Sequence, residues 1–150
     1  MANHKVTLHR VFAASPEKIF KAFTDPDAMA SWLPPYGFVG KVHQMDFKVG
    51  GTYKMSFTNF STGSSHSFGG EYVAIVPNEL LQYTDQFDDP NLPDQMITTI
   101  TLKEVLCGTE FTATQEGIPE AIPTEFCYLG WQESLDKLKR LVEPNIPDAP

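Results

Sequence analysis

The residue best placed to do chemistry lies on a predicted strand near the middle of the chain. Period-two alternation puts a carboxylate among apolar side chains there, because Asp85 shares one strand face with Leu81, Tyr83 and Phe87. If that face is the inner one, burial disfavours the charged form and raises the pKa of the carboxyl. Asp85 would then be a polar anchor for a ligand or a proton acceptor. At the rim of the sheet it would be only a partly wetted acid.

Neutral polar side chains are predicted to join Asp85. Gln115 has the same period-two register as Phe111, and a buried amide must be paired by a ligand or by a neighbouring side chain. On the predicted C-terminal helix, Trp131 and Ser134 lie on the apolar face. A large ring with one polar atom and a lone hydroxyl can fix the orientation of a ligand in a mostly apolar pocket. Ordinary core packing explains the same helical stripe equally well.

The predicted ligand site therefore has a wall and a set of orienting groups. The wall consists of Tyr53, Met55, Tyr83, Phe111, Trp131 and Leu138, and the orienting groups are Asp85, Gln115 and Ser134. The chain has eleven Phe, five Tyr and two Trp, more rings than a minimal core of this size requires. A large aromatic core is the alternative to a pocket lined by rings.

Catalytic signatures such as GxSxG, HExxH, the P-loop and GxGxxG are absent from the sequence. His43 shares its predicted strand face with Met45 and Phe47, and it is the second candidate acid or base beside Asp85. The acidic run from Asp85 to Asp94 lacks the ligand spacing and central glycine of a calcium loop. With no CxxC or Cys/His cluster either, the sequence predicts neither a metal nor a cofactor.

The charge is unevenly distributed along the 150 residues, whose net charge is −8. Residues 1–75 carry seven Lys and Arg against five Asp and Glu, whereas residues 76–150 carry four against fourteen. An acidic half of this kind argues against nucleic acid, whose phosphates need a basic surface. It favours solubility, or an acidic face for a basic protein partner.

Two cysteines, a polar N-terminal segment and the lack of an 18-residue apolar run predict a cytoplasmic protein with reduced thiols and no membrane span. Cys127 falls in the apolar register of the last helix, so packing is favoured over nucleophilic chemistry. The length predicts one domain, residues 1–150, with a Pro-rich tail, Pro144–Pro150, that frays.

The elements that must position these residues begin with a strand, His4–Phe12. Ser15 is the predicted N-cap of a first short helix and Asp25 that of a second, which Pro34-Pro35 ends. Six strands follow: Val39–Lys48, Thr52–Phe60, Ser67–Val76, Leu80–Phe87, Gln95–Leu106 and Glu110–Glu116. Their short turns predict an antiparallel meander. Gly69-Gly70 inside a strand predicts a bulge or bend.

The last element is an amphipathic helix, Thr124–Glu143, with Thr124 as its predicted cap. Gly130 costs about 1 kcal/mol relative to Ala in the middle of a helix, so we expect a chain or a ligand to approach closely there. A long helix beside antiparallel strands buries itself well only if the sheet curls around it. A curled sheet of this kind tends to leave a cavity.

Five segments follow one another along the chain: SPEKIFKAFTDPDAMASWLPP, VGGTYKMSF, GGEYVAIVPNELLQYT, GTEFTATQEGIP and GWQESLDKLKRLV. In this order they resemble the START/birch-pollen-allergen-like (SRPBCC) superfamily, in the branch related to the C-terminal domain of the activator of heat-shock protein 90 ATPase. The resemblance covers residues 4–143. Where the branch has an aromatic pair followed by Gly-Pro, this chain has Trp32-Leu33-Pro34-Pro35.

The resemblance implies an α+β helix-grip fold, in which a curved antiparallel sheet of about seven strands wraps a long C-terminal helix and two short helices follow the first strand. Three functions are compatible with it. The first is a module, monomeric or weakly dimeric, that binds a small hydrophobic or ring-containing ligand. The second is a co-chaperone-like module of the stress response that binds a basic protein. The third is an enzyme of the cyclase or hydratase kind using Asp85 or His43.

Overall fold

The computed structural model describes residues 4–149, and within that range the chain forms seven strands and three helices. The elements are β1 (Lys5–Phe12), α1 (Pro16–Thr24), α2 (Pro26–Trp32), β2 (Phe38–Met45), β3 (Thr52–Asn59), β4 (Ser65–Val76), β5 (Leu80–Phe87), β6 (Met96–Val105), β7 (Gly108–Glu116) and α3 (Thr124–Val142). Residues 144–149 have no regular secondary structure, and Pro150, the last residue of the predicted tail, lies outside the described range.

The strands form one antiparallel sheet in the order β1-β7-β6-β5-β4-β3-β2. Strands β2 to β7 are neighbours in chain order, as their short connections predict, and β1 pairs with β7 along its whole length from Lys5 to Phe12. The predicted α+β fold is confirmed: a curved seven-stranded sheet, a long C-terminal helix and two short helices after the first strand.

The two short helices begin where their caps predict. The Ser15 Oγ atom accepts the Lys18 amide at 3.2 Å, and Pro16 stands in the first turn. Asp25 is both the C-cap of α1 and the N-cap of α2, where its Oδ1 atom accepts the amides of Asp27 at 2.9 Å and Ala28 at 3.2 Å. One residue therefore ends one helix and starts the next.

The prediction that Thr124 caps α3 is wrong. Thr124 is already the first helical residue, Pro123 is the N-cap, and no side chain accepts a capping hydrogen bond. The Pro123 carbonyl accepts the Phe126 amide at 3.0 Å, and the Thr124 hydroxyl donates to the neighbouring Glu125 carboxylate. The extended conformation of a proline before the helix takes the cap position that sequence preference gave to the threonine.

The bulge predicted at Gly69-Gly70 lies three residues later. The β4–β5 register shifts between Tyr72 and Ala74, whereas Gly69 still pairs with Gln86. The glycines serve a close approach instead, because a Cβ on Gly70 would clash with the Thr84 carbonyl oxygen. The Glu71 amide donates to the Thr84 hydroxyl at 2.9 Å, so a side-chain oxygen takes the place of a backbone carbonyl as its acceptor.

Helix α3 is attached through its second half. All of its buried residues lie at or beyond position 131, namely Trp131, Ser134, Leu135, Leu138 and Val142. Arg10 on β1 holds the same part of the helix, because its guanidinium donates to the Asp136 carboxylate at 2.7 Å and to the Gln132 carbonyl at 3.2 Å. The first two turns of α3 have no such support, and the space below them is where the cavity lies.

Candidate functional site

A cavity of about 540 Å³ lies between the sheet, α2 and the first half of α3. Its volume falls within the range of small-molecule pockets, about 300–1,000 Å³. Most of its lining is apolar or aromatic. The lining residues are Met29, Leu33, Pro35, Phe38, Tyr53, Phe57, His66, Phe68, Tyr83, Asp85, Phe87, Met96, Gln115, Ile122, Phe126, Cys127, Gly130, Trp131 and Ser134.

The structure brings six of the nine sequence-predicted site residues to this cavity: Tyr53, Tyr83, Asp85, Gln115, Trp131 and Ser134. The other three, Met55, Phe111 and Leu138, have no exposed surface and belong to the core behind it. The Phe111 ring, for example, packs edge-on against Phe12 with centroids 5.4 Å apart. Period-two and helical patterns identify the inward face, but they do not show where along that face the packing ends.

Asp85 is the polar centre of the cavity. Its Oδ1 atom is buried and has no hydrogen-bond partner among residues 4–149. Burial raises the pKa of Asp85 to about 7, and hydrogen bonding by Tyr53 and by the Gln86 backbone offsets part of that rise. The Tyr53 hydroxyl has a single proton and also lies 3.0 Å from the Thr84 carbonyl oxygen, so Asp85 and Thr84 compete for that proton.

The tyrosines around Asp85 remain protonated over the physiological pH range. Burial raises the pKa of Tyr53 and that of Tyr83 well above the ordinary value, and the nearby Asp85 carboxylate adds to both. Their rings pack edge to face with centroids 5.7 Å apart. Burial likewise raises the pKa of the Cys127 thiol, so this residue presents a neutral sulfur to the cavity.

The other orienting groups of the prediction are bonded within the protein. The Trp131 indole donates to the Gln115 Oε1 atom at 3.2 Å, and the Gln115 amide donates to the Thr98 hydroxyl at 3.4 Å. The Ser134 hydroxyl has two backbone acceptors, the carbonyls of Leu33 and Gly130. These three side chains fasten α3 to β7 and to the end of α2, and their polar atoms have partners without a ligand.

Sequence reasoning missed a cluster of rings around His66. His66 precedes the predicted strand Ser67–Val76, whereas in the structure this exposed residue lies on β4 and lines the cavity. Four phenylalanine rings surround it at centroid distances of 5.8 to 6.4 Å: Phe38, Phe57, Phe68 and Phe87. Burial lowers its pKa, which favours the neutral ring. The signal was present, because His66 and Phe68 are two residues apart and so share a strand face.

The cavity opens beside this cluster. A second, more polar depression of about 620 Å³ shares His66, Phe87 and Ile122 with the cavity and is otherwise lined by Ser65, Ser67, Asp88, Asp89 and Leu92. Phe126, in the first turn of α3, also lines the cavity although its exposed fraction is 69%. The opening therefore lies under the weakly supported end of the helix, between rings on one side and carboxylates on the other.

His43 does not belong to the site. It lies in a bulge of β2, between the Val42–Met55 and Gln44–Lys54 pairs, and this bulge takes it off the face that Met45 occupies. His43 is exposed, and its Nε2 atom contacts the Ser56 hydroxyl at 2.8 Å. Of the two predicted acid or base candidates, only Asp85 borders the cavity.

In residues 4–149, no three His, Cys, Asp or Glu side chains come together as a possible set of metal ligands. Over the same range, none of the helices combines the length and the apolar character needed to cross a bilayer.

Comparison with solved structures places the fold among bacterial proteins. A crystal structure of a Chromobacterium violaceum protein is similar over 95% of this chain and 99% of that one, with 56% sequence identity and a TM-score of 0.93. A Rhodobacter sphaeroides protein has 20% identity over 91% of this chain and 90% of that one, with a TM-score of 0.78. A Staphylococcus epidermidis protein has 19% identity over 99% and 95%, with a TM-score of 0.79. No curated protein sequence matches the chain.

The family comparison is consistent with the resemblance described above. The model of the Activator of Hsp90 ATPase homolog 1-like protein family matches residues 13–143, from the end of β1 to the residue after α3. The fold likewise resembles the SRPBCC helix-grip architecture. The chain belongs to the Activator of Hsp90 ATPase homolog 1-like protein family.

Proposed function

We propose that this protein binds a small, apolar, ring-containing molecule in the cavity between the sheet and α3. The observation that carries the proposal is a space of about 540 Å³ whose nineteen lining residues include nine aromatic or imidazole rings, bordered by a carboxylate that has no hydrogen-bond partner on its Oδ1 atom among the described residues. Pockets that bind small molecules are concave, mostly apolar and about 300–1,000 Å³ in volume, and this space has all three properties. The nearby aromatic faces favour a flat or cyclic occupant.

Binding would come mainly from apolar burial. Each Å² of apolar surface removed from water contributes about 25 cal/mol, from which the cost of immobilising the ligand must be subtracted. Trp131 offers the largest ring of the wall, and its exposed fraction is 8%. We expect Trp131→Ala to weaken binding far more than a change of surface charge. Titration calorimetry that finds equal dissociation constants for the two kinds of variant would count against Trp131 as part of the wall.

Gly130 keeps the cavity open. The sequence predicts a close approach here by a chain or by a ligand, and a Cβ at this position would meet no atom within 4 Å among the described residues, so no chain makes that approach. Gly130 lines the cavity, so the side chain that is missing there is replaced by empty space. A ligand that fills this space would make the close approach that the protein itself does not make.

Gly130 also supplies the decisive experiment. Gly130→Leu would extend into the cavity, whereas Gly130→Ala, the matched control, adds one methyl group. Both remove the helix cost of glycine, about 1 kcal/mol, so both should be more stable than the wild type. Native mass spectrometry of the protein purified from its own host should show a bound small molecule on the wild type and on Gly130→Ala. It should show none on Gly130→Leu.

The outcomes separate binding from folding. Loss of the bound mass in a variant that melts higher than the wild type cannot be attributed to unfolding. A wild-type protein without any bound mass, and without affinity for apolar ring compounds in titration, would refute the proposal.

A second candidate function is recognition of a protein. The family description names an activator of the Hsp90 ATPase, and α3 exposes apolar side chains in its first two turns. The exposed fractions are 69% for Phe126, 40% for Tyr128 and 57% for Leu129. They stand in the acidic half of the chain, which suits a partner that is basic around an apolar patch. Retention of such a partner should fall as salt rises, and retention indifferent to ionic strength would remove the electrostatic basis of this candidate.

A further inference from the structure

We propose that the ligand carries a hydrogen-bond donor, a hydroxyl or a protonated amine, at the end that meets Asp85, and that carboxylate-bearing molecules such as fatty acids are excluded from the cavity. This inference rests on the proposed ligand-binding function and specifies the chemical class of the ligand.

Most polar lining groups other than Asp85 have hydrogen-bond partners within the protein. The Tyr53 hydroxyl donates to a carbonyl, Trp131 and Gln115 bond to each other, and Ser134 donates to backbone carbonyls. Asp85 differs, because its Oδ1 atom has no hydrogen-bond partner in the part of the chain that the structure describes. Rotation about the Cβ–Cγ bond exchanges the two oxygens, so either one can be presented to the cavity. The lining group that can still accept a hydrogen bond is therefore the Asp85 carboxylate.

A hydrogen-bond donor on the ligand would pair with this acceptor of Asp85. A hydrogen bond to a charged acceptor is stronger than one between neutral groups, and leaving a buried acceptor unpaired carries the full cost of its desolvation. An acceptor group on the ligand, such as an ether or a ketone, offers Asp85 nothing when the carboxyl is ionised. The site therefore distinguishes ligands of the same shape by whether they can donate a hydrogen bond to Asp85.

Anions are excluded because the cavity has no cation to receive them. Among the lining residues within 4–149, none is a Lys or an Arg, and burial lowers the pKa of the one lining histidine, His66. A ligand carboxylate would enter without a cationic partner and beside Asp85, which is costly on both counts. A protonated amine would instead pair with Asp85 and contact the faces of Tyr53 and Tyr83.

Three naphthalene probes of nearly equal shape test the proposal: 2-naphthol has a donor, 2-methoxynaphthalene has none, and 2-naphthoate is an anion. Equilibrium dialysis at pH 8, above the Asp85 pKa of about 7, gives their dissociation constants. We expect 2-naphthol to bind at least tenfold more tightly than 2-methoxynaphthalene, about 1.4 kcal/mol, and 2-naphthoate to bind weakest. In Asp85→Leu the preference for 2-naphthol should disappear.

Two further variants make the test robust. Asp85→Asn keeps an acceptor oxygen and loses the charge, so its preference should be intermediate if the carboxylate acts as described. Asp94→Asn, on an exposed loop, makes the same chemical change away from the cavity and should keep the wild-type ranking.

The outcomes distinguish the two proposals. If all three probes bind the wild type with equal affinity, or if 2-naphthoate binds best, the donor requirement is refuted while ligand binding stands. An Asp85→Leu variant that keeps the wild-type preference refutes the donor requirement in the same way. If Gly130→Leu removes the affinity for 2-naphthol, the measured binding belongs to the cavity. If no probe binds the wild type and no bound mass is found in native spectra, the proposed function fails and this inference fails with it.

Discussion

Replacing Asp85 by Asn should stabilise the protein above pH 7 and leave its stability nearly unchanged at pH 4. In the folded protein the pKa of this carboxyl is raised from 3.8 to about 7, chiefly by burial. One pKa unit corresponds to about 1.36 kcal/mol, so ionised Asp85 costs the folded state about 4 kcal/mol. The asparagine has nearly the same shape and carries no charge to desolvate.

The sign follows from proton binding. Between pH 4 and pH 7 the folded state holds the Asp85 proton and the unfolded state does not, so this residue makes the free energy of unfolding fall as the pH rises. Its stabilising effect is complete below the unfolded pKa and is lost as the pH passes the folded one. Other carboxyls act in the opposite direction, since Arg10 lowers the pKa of Asp136. The difference between variant and wild type isolates Asp85.

Urea unfolding followed by tryptophan fluorescence at pH 4.5, 6, 7 and 8.5 measures that difference. Trp32 and Trp131 are both buried, so their fluorescence reports on the loss of the core. The stability advantage of Asp85→Asn over the wild type should grow from about 1 kcal/mol at pH 4.5 to about 4 kcal/mol at pH 8.5, and level off above pH 7. The exposed control Asp94→Asn should stay within about 0.5 kcal/mol of the wild type throughout. A constant difference at all four pH values would refute the burial of a titrating carboxyl at this site.

Three further predictions concern the cavity and the helix above it. Affinity for 2-naphthol should rise about tenfold or more between pH 5.5 and 8 and then level off, because only ionised Asp85 prefers a donor; equilibrium dialysis at constant ionic strength measures this. Ser134→Ala should lower the free energy of unfolding in urea by about 1 kcal/mol, since the lost hydroxyl bonds the Leu33 and Gly130 carbonyls. Arg10→Ala should cost about 1–3 kcal/mol in the same measurement, because its guanidinium holds the second half of α3 through charged hydrogen bonds.

The fold was predictable because its signals are local and redundant. Asp25 caps α2 through a side chain adjacent to the helix, and Ser15 caps α1 in the same way. The sheet order follows from short turns, which permit few pairings other than a meander. The α3 cap was mispredicted because Thr124 and Pro123 both suit the end of a helix, and only the backbone path decides between them.

The sequence predicts which residues face inward around the site, but it does not predict how far along the sheet and helix the cavity extends. Alternation puts Asp85, Gln115 and Met55 on inward faces, but whether such a position borders a space or a neighbouring ring depends on contacts distant in sequence. His43 shows a further limit. One extra residue in β2 reverses the facing of the residues after it, and a bulge of this kind leaves no clear trace in composition.

The cost that Asp85 imposes is itself a reason to assign it a function. Folded domains are stable by about 5–15 kcal/mol in total, so a carboxylate that costs about 4 kcal/mol is a large local conflict. The polar groups of the surrounding side chains form hydrogen bonds within the protein, as the Trp131 indole does with Gln115. Strained or unsatisfied groups are expected where a protein meets its ligand, because the ligand supplies the missing partner. A donor placed against Asp85 would recover part of that cost, so the group that destabilises the empty protein is the one that gives the filled cavity its selectivity.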